Sequence, residues 1–160
     1  AIKNIRNSFP EMYTGAGTLL TKELMQQAID AGAQFGLSAG LNLSICEEAK
    51  QLNFPFIPGV MTPSEIDLAA MHGFTIQKVF PVNQIGGADY IKAVQEPYAQ
   101  LGVQFIPMGG INDSNMRRYL QLETVIAVGG SWVATKEIIE QKIFSEIEAL
   151  VTAALTMAGS

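Results

Sequence analysis

Short apolar runs recur along this chain at intervals of about 20 residues, the spacing of minimal strand–helix units. They are MYTGAG, QFGLS, PFIPG, TIQKVFP, VQFIPMGG and VIAVGG, beginning at Met12, Gln34, Pro55, Thr75, Val103 and Val125. Such runs suit strands that are buried on both faces. Between them lie helical stretches with recognisable ends. LLTKELMQQAIDAG has Thr21 as an N-cap and Gly32 as a stop, and MTPSEIDLAAMHG runs from Thr62 through Pro63 to Gly73. INDSNMRRYLQL carries a cap between Asn112 and Ser114, and a last helical tract is expected over Lys136 to Met157. Strict alternation of strand and helix predicts a parallel α/β architecture. With no linker or low-complexity run, residues 1–160 read as a single domain.

Two architectures satisfy that alternation, a doubly wound sheet and a (β/α)8 barrel. Gly109-Gly110 closes the run that begins at Val103, and Gly129-Gly130-Ser131 closes the next. Placed at helix starts, such pairs let backbone N–H groups approach an anion where the helix dipole also favours it. A phosphate gripped by the loops after strands seven and eight is a recurring feature of barrels. On that assignment about six of the eight strands are present. The expected fold is therefore a partial (β/α)8 TIM barrel lacking its first two βα units.

Charge and composition exclude other classes. The net charge of −5 comes without a basic stripe, which argues against a nucleic-acid partner. No apolar run is long enough to span a bilayer. The lone cysteine, Cys46, forms no internal disulfide and no metal cluster, and a reducing cytoplasm is the expected setting.

One residue does not fit the strand pattern. In TIQKVFP, alternation puts Lys78 on the same face as Ile76 and Phe80, with Thr75, Gln77 and Val79 on the other. An amine held between two large apolar side chains is poorly solvated, which lowers its pKa and leaves free amine to act as a nucleophile. The commoner arrangement for a strand-end lysine is to snorkel to solvent or pair with a carboxylate. From these residues alone, both readings stand.

Six motifs in register add to this. GAGT at Gly15 to Thr18, LSAGL at Leu37 to Leu41, PGVMTPSE at Pro58 to Glu65, KVFP at Lys78 to Pro81, IPMGGI at Ile106 to Ile111 and VGGSW at Val128 to Trp132 occur in that order. Together they closely resemble the 2-keto-3-deoxy-6-phosphogluconate aldolases and the related 4-hydroxy-2-oxoglutarate aldolases, over nearly the whole chain. The resemblance implies a class I aldolase on a (β/α)8 barrel, a cytoplasmic homotrimer needing neither metal nor cofactor. Its substrate would be a small phosphorylated keto acid, cleaved to pyruvate and glyceraldehyde 3-phosphate. It implies that Lys78 forms the Schiff base and that Gly109, Gly110, Gly130 and Ser131 bind the phosphate. Thr18 would contact pyruvate, and Phe80 and Pro58 would pack the apolar side of the pocket.

There are departures from the family pattern. Its catalytic glutamate and a carboxylate-holding arginine lie on strands upstream of GAGT, and no residue of this chain occupies those positions. Glu11, Glu47, Glu48 and Glu65 fall in expected loops or helices and do not replace the glutamate. Met108 stands where threonine is common, Val82 and Asn83 replace small and acidic residues, and Ala39 replaces a proline. His72 reads as a helix-end cap, Cys46 as a buried small hydrophobe, Arg117-Arg118 as a solvated helix face and Trp132 as packing below the glycine loop. Two alternatives stay open: another sugar-phosphate barrel enzyme working by proton transfer, and a non-catalytic sugar-phosphate binder.

Overall fold

The computed structural model describes residues 1–159, and its elements follow the expected alternation. Helix α1 (Ile2–Ser8) precedes β1 (Gly15–Ala16), α2 (Lys22–Asp30), β2 (Phe35–Leu37) and α3 (Leu43–Gln51). Then come β3 (Phe56–Ile57), β4 (Gly59–Val60), α4 (Pro63–Met71), β5 (Ile76–Val79) and a 3-10 turn over Val82–Ile85. The chain continues through α5 (Gly87–Ala99), β6 (Gln104–Pro107), α6 (Met116–Leu120), α7 (Lys136–Glu140) and α8 (Phe144–Ala158).

The helix ends form as their residues dictate. Thr21 Oγ1 accepts from Leu24 N at 3.2 Å, and Gly32 takes the left-handed φ of +89° that ends the segment. Thr62 and Glu65 cap each other reciprocally in a capping box, with Pro63 in the first turn of α4. All strands run parallel, in the orders β1-β2-β3 and β4-β5-β6, so within each set every strand pairs with its neighbour in sequence. A doubly wound sheet would reverse its strand order at a switch point, and this arc does not. One hydrophobic cluster runs from Ala16 to Val125, filling the space between strands and helices with Met25, Cys46, Ile66, Val79, Ile91 and Phe105 among others.

Prolines account for two differences from the expected strands. The run PFIPG continues as one extended segment but divides into β3, which pairs with β2, and β4, which pairs with β5. Pro58 lies between them and has no N–H to give the neighbouring strand. Its carbonyl still accepts from Lys78 N at 2.9 Å. The run expected from Val125 is not a regular strand but two isolated bridges, Phe105 to Val125 and Met108 to Gly129. Pro107 cannot donate a rung there. Its carbonyl accepts from Gly129 N where Phe105 O accepts from Ile126 N, so three residues on one side oppose two on the other, as in a bulge.

Two helical expectations are also corrected. INDSNMRRYLQL is helical only from Met116 to Leu120, because Asn112 Oδ1 accepts from Ser114 N (3.0 Å) and Ser114 Oγ (2.6 Å), holding the preceding residues in turns. The final tract breaks into α7 and α8 at Lys142, whose φ is +57°.

At Gly59 a close approach demands glycine. A Cβ there would lie 2.3 Å from the Ala39 carbonyl oxygen, a backbone atom, whereas one at Gly40 would meet open space. Gly59→Ala should therefore destabilise by about 1–3 kcal/mol in chemical denaturation, the usual range for overpacking, while Gly40→Ala stays near neutral.

Candidate active site

The parallel register decides which side chains meet. Lys78 pairs with Gly59 on one side and Ile106 on the other. On the opposite face, Gln77 and Val79 are wholly buried. Gln77 Nε2 ties that face to α4 and the following turn through Ile66 O (3.1 Å) and Phe74 O (2.9 Å), and its Oε1 has no partner among the described residues. Lys78 is left pointing to the inner face.

There it is 7% exposed, with no carboxylate in ion-pair range among the described residues. Its Nζ sits over the Phe80 ring, 4.5 Å from the centroid. A ring face attracts a cation, but burial dominates and pushes the amine's pKa below the ordinary lysine value. The snorkelling alternative is therefore not realised. Confinement by Ile76 is not realised either. Ile76 is 37% exposed and lines a separate hollow nearer the strand starts, with Tyr13, Phe35, Ile57 and Ile106. The enclosure of Lys78 comes from Phe80 and the neighbouring strands.

Lys78 and Phe80 open onto a cleft of about 630 Å3. Its wall includes Gly17, Leu37, Met108, Gly109, Gly110, Gly130 and Ser131, so one space brings together the amine and both glycine loops. That volume falls in the ordinary range of small-molecule sites. Two expected members lie elsewhere. Thr18 is exposed beside Gly17 with φ +60°, and Pro58 is buried between β3 and β4 and does not line the cleft.

The glycine loops differ from expectation in one respect. Neither stands at a helix start, because α6 begins at Met116 and α7 at Lys136, and each is five residues long. An anion placed here would meet loop N–H groups rather than a helix dipole. The amides of Gly110, Ile111, Gly130 and Ser131 donate to no carbonyl among the described residues. Trp132 folds against Gly130, as expected, and also lines the cleft. Met108 covers Gly129, where an added Cβ would lie 2.6–2.9 Å from its Cε, Cγ and Sδ.

Other candidates take structural roles. His72 caps α4, with Nδ1 3.1 Å from Glu47 Oε1. Arg118 pairs with Asp89, Glu48 with Lys22, and Glu65 belongs to its capping box. Burial pushes the Cys46 thiol up to about 11, which suppresses its thiolate. Among the described residues no carboxylate lines the cleft. A residue that motif reading treated only as a departure, Asn83, proves to contact the Gly110 loop through a bond of 2.6 Å from Nδ2 to Gly110 O. Only its sequence position, five residues after Lys78, hinted at this.

The family model described as "Aldolase: KDPG and KHG aldolase" matches residues 1–150. The 2-dehydro-3-deoxy-phosphogluconate aldolase of Haemophilus influenzae is 41% identical over 151 residues, covering 94% of this chain and 70% of that protein. The KHG/KDPG aldolase of Escherichia coli is 36% identical over 155 residues, covering 97% of this chain and 72% of the other. A crystal structure of KDPG aldolase from Legionella pneumophila, with pyruvate captured at low pH as a covalent carbinolamine intermediate, superposes with a TM-score of 0.87 at 35% identity, covering 93% of this chain and 71% of that one.

Burial of Lys78 links its charge to stability. Its folded-state pKa lies below the unfolded value of about 10.5, so the native state binds fewer protons and gains stability as pH rises through the folded pKa toward that value. Lys78→Met should raise stability at pH 7 by roughly 0.5–2 kcal/mol, typical of relieving a functional-site cost, with the difference narrowing as the pH of the urea titration is raised.

Proposed function

We infer the reaction from one premise: the chain belongs to the KDPG and KHG aldolase family. It is a lyase of the Schiff-base class, acting on a small phosphorylated keto acid, 2-keto-3-deoxy-6-phosphogluconate, to give pyruvate and glyceraldehyde 3-phosphate. The observation that carries this reading for these residues is an almost fully buried amine, without a counter-charge among the described residues, opening onto a cleft shared with two glycine loops.

The neutral Lys78 amine attacks the C2 carbonyl to give a carbinolamine, and loss of water gives a protonated iminium. The C3–C4 bond then breaks. Its electron pair forms the C2–C3 double bond as the iminium π pair moves onto nitrogen, the C4 hydroxyl passes its proton to solvent water in the open cleft, and the aldehyde leaves. The remaining enamine takes a proton at C3, and hydrolysis of the resulting imine releases pyruvate and restores the amine. Phe80 and Leu37 line the apolar side of the keto-acid end. The amides of Gly109, Gly110 and Gly130, with the Ser131 amide and hydroxyl, hold the phosphate. Thr18 and Pro58 stand outside the cleft wall, and Pro58 supports β5 through its carbonyl, which accepts from Lys78 N.

The same chemistry on 4-hydroxy-2-oxoglutarate would give pyruvate and glyoxylate without using the phosphate loops. The sequential parallel order of the strands supports reading them as part of a (β/α)8 wall, in a chain that assembles as a homotrimer.

Borohydride reduction in the presence of pyruvate should add one reduced pyruvyl group, located on Lys78 by peptide mapping. Lys50 on α3 and Lys92 on α5 stay unlabelled. Lys78→Arg keeps the charge but forms no iminium, so it should abolish both trapping and cleavage; an adduct on another lysine, or undiminished cleavage, overturns the assignment. Ser131→Ala removes one donor to a charged group and should raise KM about tenfold for the phosphorylated substrate, with little change for 4-hydroxy-2-oxoglutarate.

A further inference from the structure

The 3-10 turn that follows Lys78's strand is bonded to the anion loop at several points. Val82 N donates to Met108 O at 2.8 Å and Asn83 N to Gly109 O at 3.2 Å. The Asn83 side chain adds a shorter bond, Nδ2 to Gly110 O at 2.6 Å, and a Cβ on Gly110 would lie 2.5 Å from that nitrogen. From another element, Asn115 Nδ2 donates to the same carbonyl at 3.0 Å, while Asn115 Oδ1 accepts from Asn112 N at 2.9 Å. The Gly110 oxygen is therefore held by two amides.

Chemistry settles the orientation of Asn83. A carbonyl oxygen only accepts, so the end of the side chain facing Gly110 must be the NH2 group. The other end, Oδ1, accepts from Tyr119 OH at 2.6 Å. Tyr119 is buried, and burial raises its pKa, so it remains a donor throughout the neutral range. A carboxylate at position 83 could accept from Tyr119 but could not donate to Gly110.

Pinning this carbonyl fixes the rest of its peptide. In a trans peptide the C=O and the following N–H point in opposite directions. With the Gly110 oxygen turned to Asn83 and Asn115, the Ile111 N–H points the other way, and Ile111 lines the cleft. Gly109 and Gly110 adopt φ of +99° and +81°, so the loop can take this path only as glycine.

We propose that Asn83 is the positioning residue of the anion loop: it clamps the Gly110 carbonyl, aims the Ile111 N–H into the cleft, and so sets affinity for the phosphate end of the substrate. The proposal rests on the aldolase reading above. It makes Asn83 a specificity determinant, because a substrate without a phosphate does not use the loop.

Asn83→Asp tests it, keeping the volume and the acceptor for Tyr119 while removing the donor to Gly110. KM for 2-keto-3-deoxy-6-phosphogluconate should rise about tenfold, with KM for 4-hydroxy-2-oxoglutarate within twofold and kcat for both within about threefold. Tyr119→Phe, which only releases Oδ1, should shift the same KM in the same direction by a smaller factor. Parallel rises in both KM values, or no change in either, would overturn the clamp. Absence of a pyruvate adduct on the wild-type protein would defeat the aldolase reading instead. In that case titration with inorganic phosphate decides the clamp. About tenfold weaker binding by Asn83→Asp supports it, whereas equal affinity, or no binding by the wild type, overturns it.

Discussion

The in-register pairing of β4, β5 and β6 is the constraint on which the site depends. A strand offers two faces, and Gln77 and Val79 on one face of β5 are wholly buried against helices and core. A slip of one residue would exchange the faces, burying the Lys78 amine among apolar side chains with no cleft and turning Val79 into it. The core that stabilises the outer face is thus also what presents the amine on the inner one. Gln77 reinforces that choice, since both its donor bonds are made on the helix side.

Electrostatics in the cleft follows from the same packing. The amine is destabilised as a cation because it is largely shielded from water and no carboxylate among the described residues compensates, which suits the proposed nucleophile, neutral for attack and cationic once it is an iminium. The Phe80 face tolerates that returning positive charge without supplying a proton acceptor. At the other end of the cleft the polar groups are loop amides, which carry partial positive charge with no titration of their own. The proposed attack and the proposed anion binding would therefore be governed by different physics within one wall.

Much of this was legible in the sequence because local chemistry carries it. Thr21, Thr62 with Pro63, and the stops at Gly32 and Gly73 act within a turn or two of themselves, and the structure bears each out. The alternation of TIQKVFP likewise gave the face of Lys78. What was not legible depends on partners distant in sequence. The division of PFIPG needed knowledge of which neighbour each half would pair with, and the loss of regular pairing after Val125 depended on Pro107 about 20 residues earlier. The glycine pairs looked like helix starts because Asn112's competing turn bonds cannot be weighed from composition alone. Asn83 was invisible as a contact for the same reason: its partners, Gly110 and Tyr119, lie 27 and 36 residues away.

The contact between Met108 and Gly129 has an evolutionary consequence. Position 129 cannot gain a side chain while methionine occupies 108, because the new carbon would fall on Cγ as well as the more mobile end of the thioether. Replacing Met108 by a shorter residue first would clear that space. The two positions are therefore epistatic: mutations at one have no fixed effect until the other is specified. A lineage could accept a substitution at 129 only after one at 108. Along that route, a change to a residue in the wall of the cleft comes before any change in the loop beside it.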